Sequence, residues 1–323
     1  VQSHKVMIGC SVGIACYPTD GESSGTLIRN ADIALYKAKM EGRSVWRRFE
    51  SGMDAKLQER RQLEVDLQNA IALEQFELYY QPLLDARTSM LTGFEALVRW
   101  NHPERGLVMP GAFIQLAEEI GMIGPLGEWI LTRACTDAMA WPSDLKVAVN
   151  LSPAQFRLNS LVLQVVSALS KSRLPASRLE LEITESVLLA DNERTVQTLH
   201  DLRTLGARIA MDDFGTGYAS LSQLASFPFD KIKIDRSLSG GDGCDDIKKR
   251  AIVRAITALG YSLGVRTLAE GVEDSAQLSR LQTDGCVEVQ GYLFSRPVPV
   301  QELPAIIAKL HRASDDAAVT GVD

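Results

Sequence analysis

The stretch KIKIDRSLSGGDGCDDIKKRAIVRAITALGYSLGVRTLAEGVE, residues 231 to 273, carries the pattern on which the fold turns. KIKID alternates, so Lys231, Lys233 and Asp235 share one face of a strand and Ile232 and Ile234 the other. DIKKRAIVRAITALG changes to a helical stripe closed by a glycine, and VRTLAEGVE returns to a short apolar run with Leu268 and Glu270 on one face. Strand, helix, strand is the unit from which parallel α/β folds are built.

The same rhythm fills the chain from residue 76 onward. Its other short runs are FELYYQP, LTGFEALVRW, KVAVNLS, LELEITES, RIAMDDF and VEVQGYLF, separated by patterns such as NERTVQTLHDLRTLG. About eight strands alternating with helices over ~240 residues predicts an α/β fold of the (β/α)8 TIM-barrel type, with an open doubly wound sheet as the alternative.

At 323 residues the chain is long enough for two domains, or for one barrel with an appendage. A hydrophobic fraction of 46% and a charged fraction of 23% are those of a globular protein with a sizeable core. No apolar run approaches the ~18 to 20 residues needed to span a bilayer, and the first residues lack a basic segment followed by an apolar one, so the expected setting is cytoplasmic, without membrane contact by this segment. That setting is compatible with a membrane-attached parent. The net charge of −7 argues against a nucleic-acid polymer as partner, yet an acidic site can hold a small phosphate ligand through intervening cations. The five cysteines, Cys10, Cys16, Cys135, Cys244 and Cys286, fit no common zinc spacing and are expected to be reduced thiols.

Residues 5 to 48 read as strand, turn, helix, strand, with Leu27, Ala31, Ala34, Leu35 and Ala38 on one helical face and Gly42 as its stop. So short a unit buries too little to stand alone, which suggests the end of a domain that begins upstream. Residues 51 to 75 place Leu63, Leu67, Ala70 and Ile71 at helical spacing, as a helix packed on its own domain or one that couples two.

Alternation in the later strands brings polar groups to one side. Glu95, Leu97 and Arg99 oppose Phe94, Ala96 and Val98; Ala148 and Asn150 oppose Val147 and Val149; Glu180, Glu182 and Thr184 oppose Leu179, Leu181 and Ile183. The apolar faces pack against helices, so the polar ones look into the barrel, and many lie late in their strands, where barrels keep their chemistry. Glu95, Glu182, Asp212, Asp213 and Glu270 gathered at one mouth would repel by roughly 3 kcal/mol for a pair ~5 Å apart. Such a cluster predicts bound cations, and oxygen donors with the Asn150 amide favour Mg²⁺, Mn²⁺ or Ca²⁺. The number of carboxylates leaves room for two ions bridged by one aspartate, an arrangement suited to phosphodiester hydrolysis. Lys233 among these anions is expected to stay protonated and to hold a water or a developing oxyanion, the alternative being a Schiff-base lysine of the aldolase kind.

In ARIAMDDFGTGYASL, residues 207 to 221, adjacent Asp212 and Asp213 should point to opposite faces of a strand. Both reach one site if the strand ends at Asp212 and the glycines of FGTG bend the backbone after it. FGTGY by itself is a weak phosphate signal and reads as a loop device. The four histidines, His4, His102, His200 and His311, read as surface residues, with NHPERG as a turn.

YYQP, FEALVRW, VNLS, LEITES, DDFGTGYASL, KIKID, LAEGVE and QGYLFSRP, in this order, resemble the EAL-domain family of cyclic di-GMP phosphodiesterases. The resemblance covers residues 60–312 and implies a barrel whose first strand is antiparallel to the rest. It implies hydrolysis of cyclic di-GMP to linear pGpG with two Mg²⁺ or Mn²⁺ ions, with Ca²⁺ inhibitory. Glu95, Asn150, Glu182 and Asp212 would ligate one metal, with Asp212 bridging to a second held by Asp213 and Glu270. Glu270 would also be the candidate general base and Lys233 the contact to the nucleophilic water. Arg99 would clamp phosphate, Gln81 and Leu97 would line the nucleotide site, and Gln290 would order the centre. Glu185 would anchor the loop after the paired aspartates, and Glu273 would support the site. A catalytically silent cyclic di-GMP receptor or regulatory module is the alternative function. The family also implies a homodimer.

Residues 1–49, through SVGIACYP and NADIALYKAKMEGR, resemble the C-terminal end of a GGDEF domain. Lys39 and Arg43 match positions that contact GTP phosphates in that family, but without the preceding half they cannot support cyclase activity. The expected organisation is this remnant, a linking helix over 50–75, the EAL domain over 60–312 and a polar tail over 313–323, with upstream sensory and GGDEF regions of the parent chain as partners.

Overall fold

The computed structural model describes residues 9–189, 193–215, 227, 229–239 and 244–320, with the side chains of 188–189, 244–246 and 313–320 left aside. Contacts divide the chain into Val1–Asn69 and Ala70–Asp323. In the first unit β1 (Val12–Ile14) and β2 (Trp46–Arg48) pair in parallel, joined through helix α1 (Ser24–Met40). The Ser23 side chain caps α1 by accepting from the Thr26 N–H, and Gly42, at φ 105°, follows the helix end as its spacing predicts. Ile33 and Ala34 of α1 pack with Met53, Phe49 and Leu57. Helix α2 (Met53–Ala70) then runs to the boundary.

The second unit contains a closed barrel of eight strands. They are β3 (Phe76–Asp85), β4 (Leu91–His102), β6 (Lys146–Leu151), β7 (Leu179–Thr184), β8 (Arg208–Phe214), β9 (Lys231–Ile234), β10 (Arg266–Ala269) and β11 (Glu288–Val289). All eight coincide with the short runs of the sequence. The other seven barrel strands run parallel to one another, and β3 closes the barrel by pairing antiparallel with both β4 and β11. The short strand β5 (Gly106–Val108) continues β4 as a hairpin, and β12 (Val298–Pro299) adds to β3. Between strands lie α3 (Pro110–Glu119), α4 (Ile123–Ala138), α5 (Pro153–Phe156), α6 (Leu161–Ser172), α7 (Glu185–Leu189), α8 (Glu193–Thr204), α9 (Arg236–Ser239), α10 (Cys244–Leu263) and α11 (Ser275–Thr283). The last helix, α12 (Leu303–Thr320), continues through most of the segment expected to be a polar tail.

Residues on the outward faces, among them Phe94, Ala96, Val98, Val147, Val149, Ile209, Ile232 and Ile234, are all buried, as strands covered by helices require. The interior is stratified. At the N-terminal end Lys231 Nζ lies 2.5 Å from Glu180 and 2.7 Å from Glu288, side chains of β7, β9 and β11, and Arg266 Nη2 lies 2.8 Å from Glu288. One layer drawn from alternate strands is the packing rule of such barrels. Above it sits an apolar cluster of Leu83, Ala148 and Leu268. The C-terminal end carries the acidic residues.

One histidine departs from expectation. His102 is buried, because β4 extends to it and the turn is only residues 103–105. Its Nδ1 accepts the N–H groups of Glu104 and Arg105, both at 3.2 Å, and its ring packs edgewise on Trp100. The imidazole caps the hairpin turn that would otherwise leave two donors unpaired. His200 and His311 are exposed as expected, and His4 lies outside the described residues. Cys10, Cys16, Cys135 and Cys286 are free thiols. Among the described residues no helix is long and apolar enough to cross a membrane.

Candidate active site

The paired aspartates are accommodated by a bulge. In the β8–β9 register Met211 faces Ile232 and Phe214 faces Ile234, so Asp212 and Asp213 together oppose Lys233. Asp213 itself takes a left-handed φ of 55° and gives its N–H to Asp212 Oδ1 at 3.0 Å. The bend therefore lies at Asp213, inside a strand that continues to Phe214, and not after a strand end at Asp212 in the glycines. A register shift requires the two-against-one count, and aspartate tolerates left-handed backbone better than most residues. Asp212, Asp213 and Glu270 each present a carboxylate oxygen, all within 4.8 Å of one another.

Lys233, fully buried, is the hub of the remaining acids. Its Nζ lies 2.7 Å from Glu182, 2.8 Å from Glu270, 3.1 Å from Asp212 and 3.7 Å from Glu95. Against the cost of burial these carboxylates raise its pKa well above the usual lysine value, the reverse of the neutral amine that a Schiff base needs. Burial, reinforced by Glu95 and Asp212 and opposed by Lys233, lifts Glu182 well above the carboxylate range. Burial lifts Glu270 to about 7 despite Lys233, with Asp212 and Glu95 adding repulsion. Glu95 goes the other way: Lys233 and the amides of Gln290 and Asn150 outweigh its burial and hold it low. Asp213 is raised, first by burial and then by Asp212 and Asp235.

Glu95 is gripped on both oxygens. Asn150 Nδ2 donates to Oε1 at 2.7 Å and Gln290 Nε2 to Oε2 at 2.6 Å. Gln81, Glu95, Leu97, Asn150, Asp212, Glu270, Glu273 and Gln290 line one cavity of about 270 Å³ at the C-terminal mouth, with Glu182 and Lys233 buried beneath it. Three further predicted residues are not part of that lining: Asp213, already placed beside Asp212, and Arg99 and Glu185. Arg99 is buried, its guanidinium 5.4 Å from the Tyr79 ring centroid and Nη1 bonded to the Val98 carbonyl. Glu185 Oε1 accepts the Gly215 N–H at 2.9 Å, at the start of the loop it is expected to anchor; residues 216–226 lie outside the described residues.

Sequence reasoning passed over Arg236, Gly271 and Tyr292 on the cavity wall. Arg236 directly follows KIKID and Tyr292 follows Gln290 by two, so strand-end position was the available signal. Gly271, at φ 69°, is needed because a Cβ there would sit 2.5 Å from Arg236 Cβ.

The family model for the EAL domain matches residues 64–297, and that for the diguanylate cyclase GGDEF domain matches residues 1–45. The chain is 43% identical over 312 residues to the bifunctional diguanylate cyclase/cyclic di-GMP phosphodiesterase MucR of Pseudomonas aeruginosa, covering 95% of this chain and 45% of that protein. It is 40% identical to the cyclic di-GMP phosphodiesterase NbdA of the same organism, covering 94% of this chain and 39% of NbdA. The chain thus spans less than half the length of these relatives. A solved structure described as "PaMucR Phosphodiesterase, c-di-GMP complex" superposes with a TM-score of 0.71 at 41% identity, covering 75% of this chain and 99% of that one. With its barrel closed by an antiparallel first strand and its acids gathered at the C-terminal mouth, the chain belongs to the EAL domain family.

Proposed function

We propose that this chain hydrolyses cyclic di-GMP to the linear dinucleotide pGpG, using two divalent cations held at the barrel mouth. The observation that carries the reading is the charge balance of the site. Glu95, Glu182, Asp212 and Glu270 gather around one buried ammonium, Lys233, and Asp213 lies beside Asp212 and Glu270, so at full ionisation this cluster carries a surplus of negative charge that divalent cations would offset. Glu182 Oε1 is buried with no hydrogen-bond donor, as an oxygen awaiting a cation would be. The donors are all carboxylate or amide oxygens, which suit Mg²⁺ or Mn²⁺. Asp212, Asp213 and Glu270 would hold one ion, and Asp212 with Glu95, Glu182 and Asn150 the other.

Bound there, the cations would acidify a water and neutralise charge on the departing oxygen. The chain's own groups supply the rest. Lys233 keeps its proton and donates toward the attacking water. Glu270 faces the cavity and is placed to take the water's proton as the new P–O bond forms. The phosphorus bond to the ribose 3′ oxygen breaks, and that oxygen leaves as a hydroxyl by taking a proton from solvent water, which recovers one from Glu270. Arg99, Leu97 and the cavity wall would position the dinucleotide, with Glu185 steadying the loop beyond Gly215 and Glu273 supporting the rim. Ca²⁺, larger and more loosely coordinated, should occupy the site without supporting turnover. A cytoplasmic setting, a homodimer and upstream regions of the parent chain belong to the same reading.

Incubation with cyclic di-GMP and Mg²⁺ or Mn²⁺ should yield pGpG; binding without any product under either ion would make the chain a receptor instead. A linked prediction concerns pH. The raised carboxyls of Glu270 and Glu182 mean that the metal-free folded protein keeps protons that the unfolded chain has already released, so its stability falls as pH rises from the ordinary carboxylate range through about 7. Cations need these groups ionised, so Mn²⁺ should raise Tm more at about pH 8 than at about pH 5. Equal shifts at the two pH values would contradict it.

A further inference from the structure

Arg99 is a buried cation without a carboxylate. It is 5% exposed, yet among the described residues it makes no ion pair, and its hydrogen bond runs from Nη1 to the Val98 carbonyl at 2.9 Å. Burial pulls its pKa down, although a guanidinium stays protonated in a protein. The carboxylate that register brings opposite it is turned elsewhere. Glu77 faces Arg99 in the β3–β4 pairing, and its Oε2 accepts from Asn101 Nδ2 at 3.1 Å. A charge so buried is ordinarily paired, and here no acid of the described residues pairs it.

In place of a carboxylate Arg99 has an aromatic face. Tyr79 is its diagonal neighbour across the pairing, and the guanidinium carbon lies 5.4 Å from the centre of the Tyr79 ring. Tyr79 stands directly opposite Leu97, which lines the cavity, so the stack sits at the rim, with Arg99 two residues beyond Leu97 toward the open end. A ring holds a guanidinium by its face and leaves the donors in the guanidinium plane unspent, whereas a bidentate carboxylate would occupy them. All but one of the Arg99 N–H donors are therefore free of the protein, in the fork geometry that matches phosphate oxygens. The Tyr79 hydroxyl makes no hydrogen bond among the described residues, so what it offers Arg99 is the ring.

We infer that Tyr79 is a positioning residue that holds the Arg99 guanidinium by its face and so keeps its in-plane donors for the phosphate of cyclic di-GMP that is not being cut. The inference rests on the phosphodiesterase reading, in which the cations engage the other phosphate. The test is a cycle of Tyr79→Leu, Arg99→Met and the double variant, with Tyr79→Phe as the conservative change. Each is measured in turnover of cyclic di-GMP with Mn²⁺ and, with Ca²⁺ in place of Mn²⁺, in cyclic di-GMP affinity by calorimetry. Tyr79→Leu should raise KM and the calorimetric Kd by ~3- to 30-fold, the range of a cation–π contact, with kcat changed less than about threefold because the phosphate concerned takes no part in the bond change. Tyr79→Phe keeps the ring and should stay within about twofold of the parent. Because the two residues act in series, the double variant should lose no more than Arg99→Met alone. Mn²⁺ affinity without nucleotide should move less than about twofold in Tyr79→Leu, which a general loosening of the mouth would not allow. Equal losses in Tyr79→Phe and Tyr79→Leu, losses that simply add across the cycle, or a fall in kcat and Mn²⁺ affinity with KM unchanged would overturn the inference. If Tyr79→Leu does not fold, Tyr79→Val, β-branched as strand positions favour, carries the same expectation. If the unaltered protein binds cyclic di-GMP but yields no pGpG, the phosphodiesterase reading falls and the calorimetric cycle still decides the stack; if it binds none, both fall.

Discussion

Glu95→Ala should reduce hydrolysis of cyclic di-GMP by at least about a thousandfold, on the order of 4 kcal/mol in the barrier. Lys233 and the Gln290 and Asn150 amides hold Glu95 below the usual carboxylate range despite its burial, which favours the charged form that a cation needs. Its two oxygens are oriented by Asn150 and Gln290, and it lies 3.7 Å from Lys233 Nζ. The fold should survive the change, because the substitution removes one charge from a crowd of like charges, and circular dichroism would check this. Glu95→Gln keeps the side chain's size while discarding its charge, so comparable losses in the two variants would assign the effect to charge. Turnover unchanged by either would show that the chemistry lies elsewhere.

Lys231→Met should cost about 3 to 5 kcal/mol of stability, which for a domain of this size is a fall in Tm of about 6 to 20 °C. Lys231 is buried at the closed end of the barrel between Glu180 and Glu288, whose attraction outweighs the cost of burying the ammonium and raises its pKa. Among the described residues, removing the lysine leaves Glu180 with no ion-pair partner, while Glu288 keeps Arg266. Replacing all three, as Glu180→Leu, Lys231→Met and Glu288→Met together, should recover much of the loss, since a buried ion network is worth little against apolar groups of similar volume. Thermal unfolding of the single and triple variants measures both. A single variant within about 1 kcal/mol of the parent would mean that water reaches this layer and screens it.

The contrast between Lys231 and Lys233 shows how much of the site was legible. Both lie on the inward face of KIKID, and alternation alone identifies that face. Two residues along the strand separate a structural layer from the reaction cavity, and this too follows from the rule that barrel chemistry sits at strand C-termini. What alternation does not reveal is which partner each lysine meets. Lys231 finds Glu180 and Glu288, and Lys233 finds four carboxylates, three from other strands and Glu270 from the residue after β10. Arg99 shares the face of Glu95 in the sequence pattern, yet its guanidinium packs over Tyr79 and is not itself part of the cavity wall. His102, read as part of a surface turn, is buried because strand pairing carries β4 further than local turn signals suggest.

The sequence by itself determined the eight strands, their inward and outward faces and the acids at the mouth. Those properties depend on side-chain periodicity, which is local and survives in any window a few residues long. Tertiary structure decided the bulge that turns Asp213 back beside Asp212, because it arises from a register between β8 and β9 that neither strand encodes alone. It also decided the direction of the amides around Glu95. Gln290 meets Gln81 across 209 residues and Glu95 across 195, separations that no local pattern encodes, and the carboxylate, which when ionised can only accept, fixes which end of the Gln290 amide faces it.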